Sequence, residues 1–147
     1  MQIRTIVVGV DDSPGSRRAL EWAAELAVSL ASRVVAVHVF EPLAHVAELA
    51  PGVDLRALRE RVAQQIAQDL CRPLSERGIE HTARTLEGEP AAVLLDVAEK
   101  EGADLIVVGA RRMGLLKSLA LGSTSRKLTH STSRPVVIVP LSEEQQA

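Results

Sequence analysis

Short apolar runs alternate along this chain with longer segments of helical periodicity, and this alternation restricts the possible folds more than any other feature. A β-branched run bounded by turn residues is typical of a strand buried in a parallel sheet. We predict such strands at residues 3–10, 33–40, 105–108 and 134–140, and a weaker strand of alternating pattern, of the kind found at a sheet edge, at residues 80–86. Helical segments separate them. The order βαβαβαβαβ therefore predicts an α/β fold, a doubly wound five-stranded parallel sheet with helices on both faces.

The helical segments carry recognisable start and stop signals. Ser13 and Pro14 are typical of a helix start. Pro73 lacks an N–H group, so we expect a later amphipathic helix to kink or break at residues 69–72. Residues 41–52 contain two prolines and are expected to form a loop with a helical turn. The first helix has an alanine-rich face that can pack close to a sheet, with predicted inward positions Leu20, Ala23, Ala24, Ala27 and Leu30.

Length and composition indicate one domain at residues 1–141, followed by a polar tail at residues 142–147. The net charge is only −2 and the only Phe, Trp or Tyr residues are Trp22 and Phe40, which argues against a nucleic-acid-binding protein. No apolar run approaches the length of a membrane span, and the first residues lack a signal-peptide pattern. We therefore expect a cytoplasmic protein with no membrane partner.

A glycine-containing segment follows the strand at residues 105–108. The strand ends at Gly109, and a new helical pattern opens at Gly122 and Ser123. Gly122 has no Cβ, so its backbone can approach a ligand closely. Ser123 is predicted to cap the helix, whose first amides have no intrahelical partner and lie at the positive end of the helix dipole. This arrangement predicts an anion site, with phosphate as the usual candidate.

The charge of the same segment agrees with an anion site. Between Gly109 and Arg134 the chain has six basic residues and no Asp or Glu. These basic residues are Arg111, Arg112, Lys117, Arg126, Lys127 and Arg134. A cationic segment in a chain with a net negative charge suggests a local anion. The alternative is an ordinary strand, turn and capped helix whose basic residues are solvated and bind nothing.

Four motifs give the chain a resemblance to the universal stress protein family. They are VVGVDDS near the start, AVHVF on the second strand, ADLIVVGA before the glycine segment and RPVVIVP near the end. That family has Gly-x-x-Gly, nine residues and Gly-Ser/Thr between its last two strands. Gly109 matches the first glycine and Gly122 the last, but Arg112 stands at the second. Arg112 would either crowd the phosphates or pair with them.

The resemblance implies an adenine-nucleotide alpha-hydrolase-like fold with strand order 3-2-1-4-5 and a binding crevice between strands one and four. It implies that Asp11 contacts the adenosine part of a nucleotide and that Val39 touches the adenine. The ligand would be ATP or a related adenine nucleotide, with or without Mg²⁺. The residues matching the family's nucleotide site are Gly9, Val10, Asp11, Val39, Gly109, Arg112, Gly122, Ser123, Thr124 and Ser125.

Three classes of function are compatible with this pattern. The first is an ATP-binding, regulatory stress-response domain without fast catalysis. The second is an interaction module of the same fold that binds no nucleotide. The third, a phosphoryl or nucleotidyl transferase, is disfavoured because only Asp11 and Asp12 could hold a metal, and no catalytic or metal-ligating set is evident.

Two local features have competing interpretations. Asp11 and Asp12 could instead supply negative charge or a cap at the start of the first helix. His38 has no Ser, Cys or metal-ligand partner at a suggestive spacing, so we interpret it as a hydrogen-bonded strand histidine.

The last strand bears on assembly. An apolar strand at a sheet edge invites pairing with another chain. In universal stress proteins the final strands of two subunits commonly pair, so the resemblance implies a homodimer through Val136, Val137, Ile138 and Val139.

Overall fold

The fold is a single parallel sheet in a computed structural model that describes residues 1–40, 48–110 and 122–142. Its strands are β1 (Thr5–Gly9), β2 (Arg33–Phe40), β3 (His81–Glu87), β4 (Leu105–Gly109) and β5 (Val136–Val139). The strand order is β3-β2-β1-β4-β5, and every pairing is parallel. Val7 at the centre pairs with Val35 on one side and Ile106 on the other. The predicted fold class and strand order are confirmed.

Helices cover both faces of the sheet. They are α1 (Pro14–Leu30), α2 (Leu55–Gln65), α3 (Arg72–Glu76), α4 (Pro90–Glu101) and α5 (Ser123–Ser131). Two apolar clusters fill the layers, one joining α1 and the α2–α3 region to the sheet, the other joining α4 and α5 to it. Because side chains alternate along a strand, β2 sends Ala36 into the first cluster and Val35 and Val37 into the second.

The first helix lies close to the sheet because its inner face is built from small residues. Ser13 caps α1 by accepting a hydrogen bond from the Ser16 amide, and Pro14 is its first residue, as predicted. Leu20 and the three alanines of the predicted face are buried. Leu30 is an error of the prediction, since it is 42% exposed. The helix ends there because Ala31 takes a left-handed conformation, with φ 54°.

The break predicted before Pro73 is confirmed. A five-residue π-helical segment, Ile66–Leu70, follows α2, and the Cys71 amide donates to the Ile66 carbonyl oxygen across five residues. Helix α3 then starts with Pro73 in its first turn, where the missing N–H group costs no helical hydrogen bond. Burial raises the pKa of the Cys71 thiol to about 11, which makes it an inert core residue.

Parts of the predicted organisation lie outside the described residues. They are residues 41–47 of the predicted loop, the segment 111–121 with Arg112, and residues 143–147 of the tail. Within the described residues, no helix is both long and apolar enough to span a membrane.

Candidate functional site

A cavity of about 450 Å³ opens at the carboxyl ends of β1 and β4. It lies where the chain leaves β1 towards one face of the sheet and leaves β4 towards the other, the usual position for a ligand in an open parallel sheet. We call this cavity the crevice. Eight of the ten predicted site residues line it, namely Gly9, Val10, Asp11, Val39, Gly109, Gly122, Thr124 and Ser125.

The other two predicted residues are Ser123, which belongs to α5 and is not among the described lining residues, and Arg112, which is outside the described residues. Two groups of lining residues were not predicted from the sequence. The polar ones are Ser13 and Ser16, and the others, largely apolar, are Val37, Pro90, Leu94, Val108 and Ala110. Apolar wall residues lack a distinctive sequence signal because their types are the same throughout the core.

A compact hydrogen-bonded turn holds the β1 end of the crevice. The Asp11 amide donates to the Ser16 hydroxyl oxygen at 2.7 Å, and the Asp11 carboxylate accepts from the Ser13 amide at 2.8 Å. Asp12 instead forms an ion pair with Arg17. Ser13, rather than either aspartate, caps α1, so the exposed Asp11 carboxylate lies beside the crevice with only one oxygen in a described hydrogen bond.

Three of the described helices, α1, α4 and α5, begin at the crevice, and α5 differs from the other two. Ser13 caps α1, and Glu89 caps α4 by accepting from the amides of Ala91 and Ala92 at 3.3 Å and 2.9 Å. These hydrogen bonds, led by that of Ala92, and the Lys127 ammonium lower the pKa of Glu89. The cap position of α5 is Gly122, with no side-chain cap bond. The predicted capping role of Ser123 is wrong, because helical geometry already begins at Ser123 and the extended residue is Gly122.

One side chain at this uncapped helix start has an unmet hydrogen-bonding capacity. Ser125 is only 3% exposed as a residue and lines the crevice, and its hydroxyl makes no hydrogen bond to any described residue. No buried polar side-chain atom of the described residues lacks a hydrogen-bond partner, so this hydroxyl is open to the crevice and not enclosed in the protein. A helix start without a side-chain cap and an adjacent unpartnered hydroxyl together suit an anionic group such as a phosphate.

Gly109 is required by packing. A Cβ at Gly109 would lie 2.3 Å from the Gly15 carbonyl oxygen, and one at Gly15 would lie 2.7 Å from that of Ala110. The two glycines therefore let the start of α1 lie directly on the end of β4. This contact shapes the floor of the crevice without requiring a ligand.

The basic segment is only partly available for an anion. Arg134 lies at the opposite end of the sheet, where its guanidinium donates to the Ala103 carbonyl oxygen and to Glu99 at 2.9 Å each. Lys127 is paired with Glu89 at 3.2 Å. The expectation of an unneutralised segment is therefore wrong for both residues, because α4 supplies acidic partners that are distant in the sequence.

His38 lies beside the crevice and contacts Val10, one of its lining residues. Its ring donates through Nδ1 to the Val10 carbonyl oxygen at 3.2 Å and packs edge-on against Phe40. Burial lowers the pKa of His38, and the nearby Asp11 carboxylate opposes that effect only in part. The interpretation as a hydrogen-bonded strand histidine is confirmed. The described residues contain no group of three or more His, Cys, Asp or Glu side chains placed to hold a metal ion.

Comparison with known proteins gives a consistent result. The model of the universal stress protein family matches residues 2–140. A protein of Thermus aquaticus, described as a universal stress protein in the QAH/OAS sulfhydrylase 3' region, is 32% identical over 137 residues, covering 92% of this chain and 98% of its own length.

Two solved structures of similar fold contain nucleotides. One is a universal stress protein in complex with cAMP, with a TM-score of 0.69, 23% identity, and coverage of 97% of this chain and 100% of that one. The other is the universal stress protein of Archaeoglobus fulgidus in complex with dAMP, with a TM-score of 0.66, 23% identity, and coverage of 95% and 99%.

Proposed function

The chain belongs to the universal stress protein family, and on that premise we propose that it binds ATP or a related adenine nucleotide in the crevice. Its role would be that of a cytoplasmic, regulatory stress-response domain. The observation that carries the proposal is the start of α5, where the cap residue Gly122 makes no side-chain cap bond and the Ser125 hydroxyl is open to the crevice without a described partner. Backbone amides and a hydroxyl at a helix start are ready partners for phosphate oxygens.

The rest of the crevice suits the remainder of the ligand. Val39, Pro90 and Leu94 offer an apolar wall for a flat base, and Asp11 offers a carboxylate oxygen that can accept from a hydroxyl or amino group. That two proteins of similar fold were solved with cAMP and dAMP supports an adenine nucleotide over other phosphate ligands. Mg²⁺, if present, would be held mainly by the phosphates and water.

We propose that the protein is not a fast enzyme. Rapid phosphoryl transfer requires a metal-holding carboxylate and a positioned base or nucleophile. The described carboxylates near the crevice already have partners: Asp11 accepts from the Ser13 amide, Asp12 is paired with Arg17, and Glu89 accepts from the α4 amides and from Lys127. A domain that binds a nucleotide without consuming it can report on its concentration.

Calorimetry with AMP and ATP at neutral pH and moderate salt tests the proposal. We expect saturable binding of both, with ATP left intact during the titration. The absence of any heat or thermal shift at millimolar ligand would contradict nucleotide binding and favour the interaction-module alternative. Turnover of about 1 per second or faster, lost in Asp11→Asn, would contradict the regulatory assignment.

A further inference from the structure

An ion pair joins the two helices that flank the crevice on one face of the sheet. The Lys127 ammonium of α5 lies 3.2 Å from Oε1 of Glu89, the cap residue of α4. Pro90, the next residue after Glu89, lines the crevice, and so does Thr124, which lies one helical turn before Lys127. Residues three apart on a helix share a face. The pair is therefore adjacent to the uncapped start of α5.

Glu89 has further hydrogen-bond partners besides Lys127, whereas Lys127 has no other described partner. Both carboxylate oxygens of Glu89 also accept backbone hydrogen bonds, from Ala91 and Ala92. Lys127 has Glu89 as its one described hydrogen-bond partner. The side chains are 57% and 44% exposed, so the pair contributes little to stability and opens at small cost. If Lys127 leaves, Glu89 keeps its partners and no buried charge is left unpaired.

We propose that Lys127 exchanges Glu89 for the outer phosphates of a bound nucleotide, so that this pair sets the preference for di- and triphosphates over monophosphates. The inference rests on the proposed function, because it assumes that a nucleotide places its first phosphate at the start of α5. Lysine suits the exchange, since its ammonium is a compact charge on a flexible stem. Glu89 opposes the exchange because it pairs with Lys127 in the free protein. Removing the Glu89 charge should therefore raise the affinity for nucleotides with longer phosphate chains.

The chain offers a matched control. Lys100 and Asp96 form the other described lysine–carboxylate pair, at 2.8 Å, and both members lie in the second half of α4, away from its start at the crevice. Substituting this pair makes the same chemical changes without altering the charge beside α5.

The experiment is calorimetry with adenosine, AMP, ADP and ATP on the wild type, Lys127→Gln and Glu89→Gln, with Lys100→Gln and Asp96→Asn as controls. Lys127→Gln should lower the ratio of ATP affinity to AMP affinity by about tenfold, the lower end for a hydrogen bond to a charged group. Glu89→Gln should raise the same ratio, and high salt should reduce both effects. The Lys100 and Asp96 controls should leave the ratio unchanged.

The outcomes separate this inference from the proposed function. An ATP-to-AMP ratio that neither Lys127→Gln nor Glu89→Gln changes would overturn the inference and leave nucleotide binding intact. Failure of the wild type to bind any of the four ligands would overturn both. Thermal unfolding of each variant identifies any loss of the fold. Glu89→Gln keeps one side-chain oxygen that can accept from the Ala92 amide, so its effect on affinity can be separated from loss of the helix cap.

Discussion

At the scale of single residues, the crevice separates side chains that hold the fold from those that remain available to a ligand. Ser16 and Ser125 are both buried and both line the crevice. The Ser16 hydroxyl accepts from the Asp11 amide and so fixes the turn after β1. Ser125 makes no comparable internal bond within the described residues. A crevice-lining hydroxyl that makes no described internal hydrogen bond is available to a ligand.

Ser125→Ala should therefore weaken nucleotide binding without lowering the melting temperature, because no described internal hydrogen bond is lost. Ser32→Ala is the matched control. Its buried hydroxyl donates to the Ile3 carbonyl oxygen at 2.6 Å, far from the crevice. We expect that control to lose about 1 kcal/mol of unfolding free energy and to bind nucleotide normally. Calorimetry and thermal unfolding of both variants provide the check, and unchanged affinity in Ser125→Ala would contradict its assigned role.

Residue identity alone predicted some of these roles and missed others. Ser13, Pro14 and Pro73 act through local backbone geometry, so their effects could be predicted from neighbouring positions. The role of Gly109 could not, because the atom it avoids belongs to Gly15, on another element. The pairing of Lys127 with Glu89 was missed for the same reason, since 38 positions separate the two residues.

At the scale of elements, β5 is one of the two edge strands of the sheet. It pairs with β4 on one side only, and Val136, Val137 and Ile138 are each half-buried. The carbonyl oxygens of Pro135 and Val139 accept hydrogen bonds from the β4 side. Since the polar groups of successive strand residues point to alternate sides, those of Val136 and Ile138 point away from β4, to the side where no described strand lies. Such an edge is a template for another strand.

We propose that two copies of the chain pair through β5, and a proline at Ile138 tests this. The N–H group removed by Ile138→Pro points away from β4, so the sheet within one chain should survive while the pairing between chains weakens. Sedimentation at micromolar concentration should show a dimer for the wild type and a monomer for Ile138→Pro. Val137→Pro is the control, because it removes an N–H group directed at β4 and should lower the melting temperature.

A monomeric wild type at those concentrations would contradict the proposed dimer. The elements themselves were largely predictable, since β1, β2, β4 and β5 are short runs rich in β-branched residues, whereas the edge strand β3 has only a weaker alternating pattern. The start of α5 was displaced by one residue, because Gly122 and Ser123 are both acceptable cap residues by type and only the backbone conformation distinguishes them.

At the scale of the whole molecule, the strand order brings residues from distant parts of the chain to one edge of the sheet. Asp11 follows β1, Gly122 precedes α5 and Pro90 begins α4, yet all three line the crevice. Local sequence patterns predicted the parallel sheet, while the order of its strands came from the family resemblance. The central claim is that an adenine nucleotide occupies this crevice with its phosphate at the start of α5.

Amide chemical-shift mapping by NMR during titration with AMP tests that claim most directly, because it reports binding and location together. We expect the largest shifts at the carboxyl ends of β1 and β4 and in the first turn of α5, including Thr124 and Ser125. The opposite end of the sheet, around Arg33 and Glu101, should change little. No shifts at millimolar AMP, or shifts concentrated away from the crevice, would contradict the account.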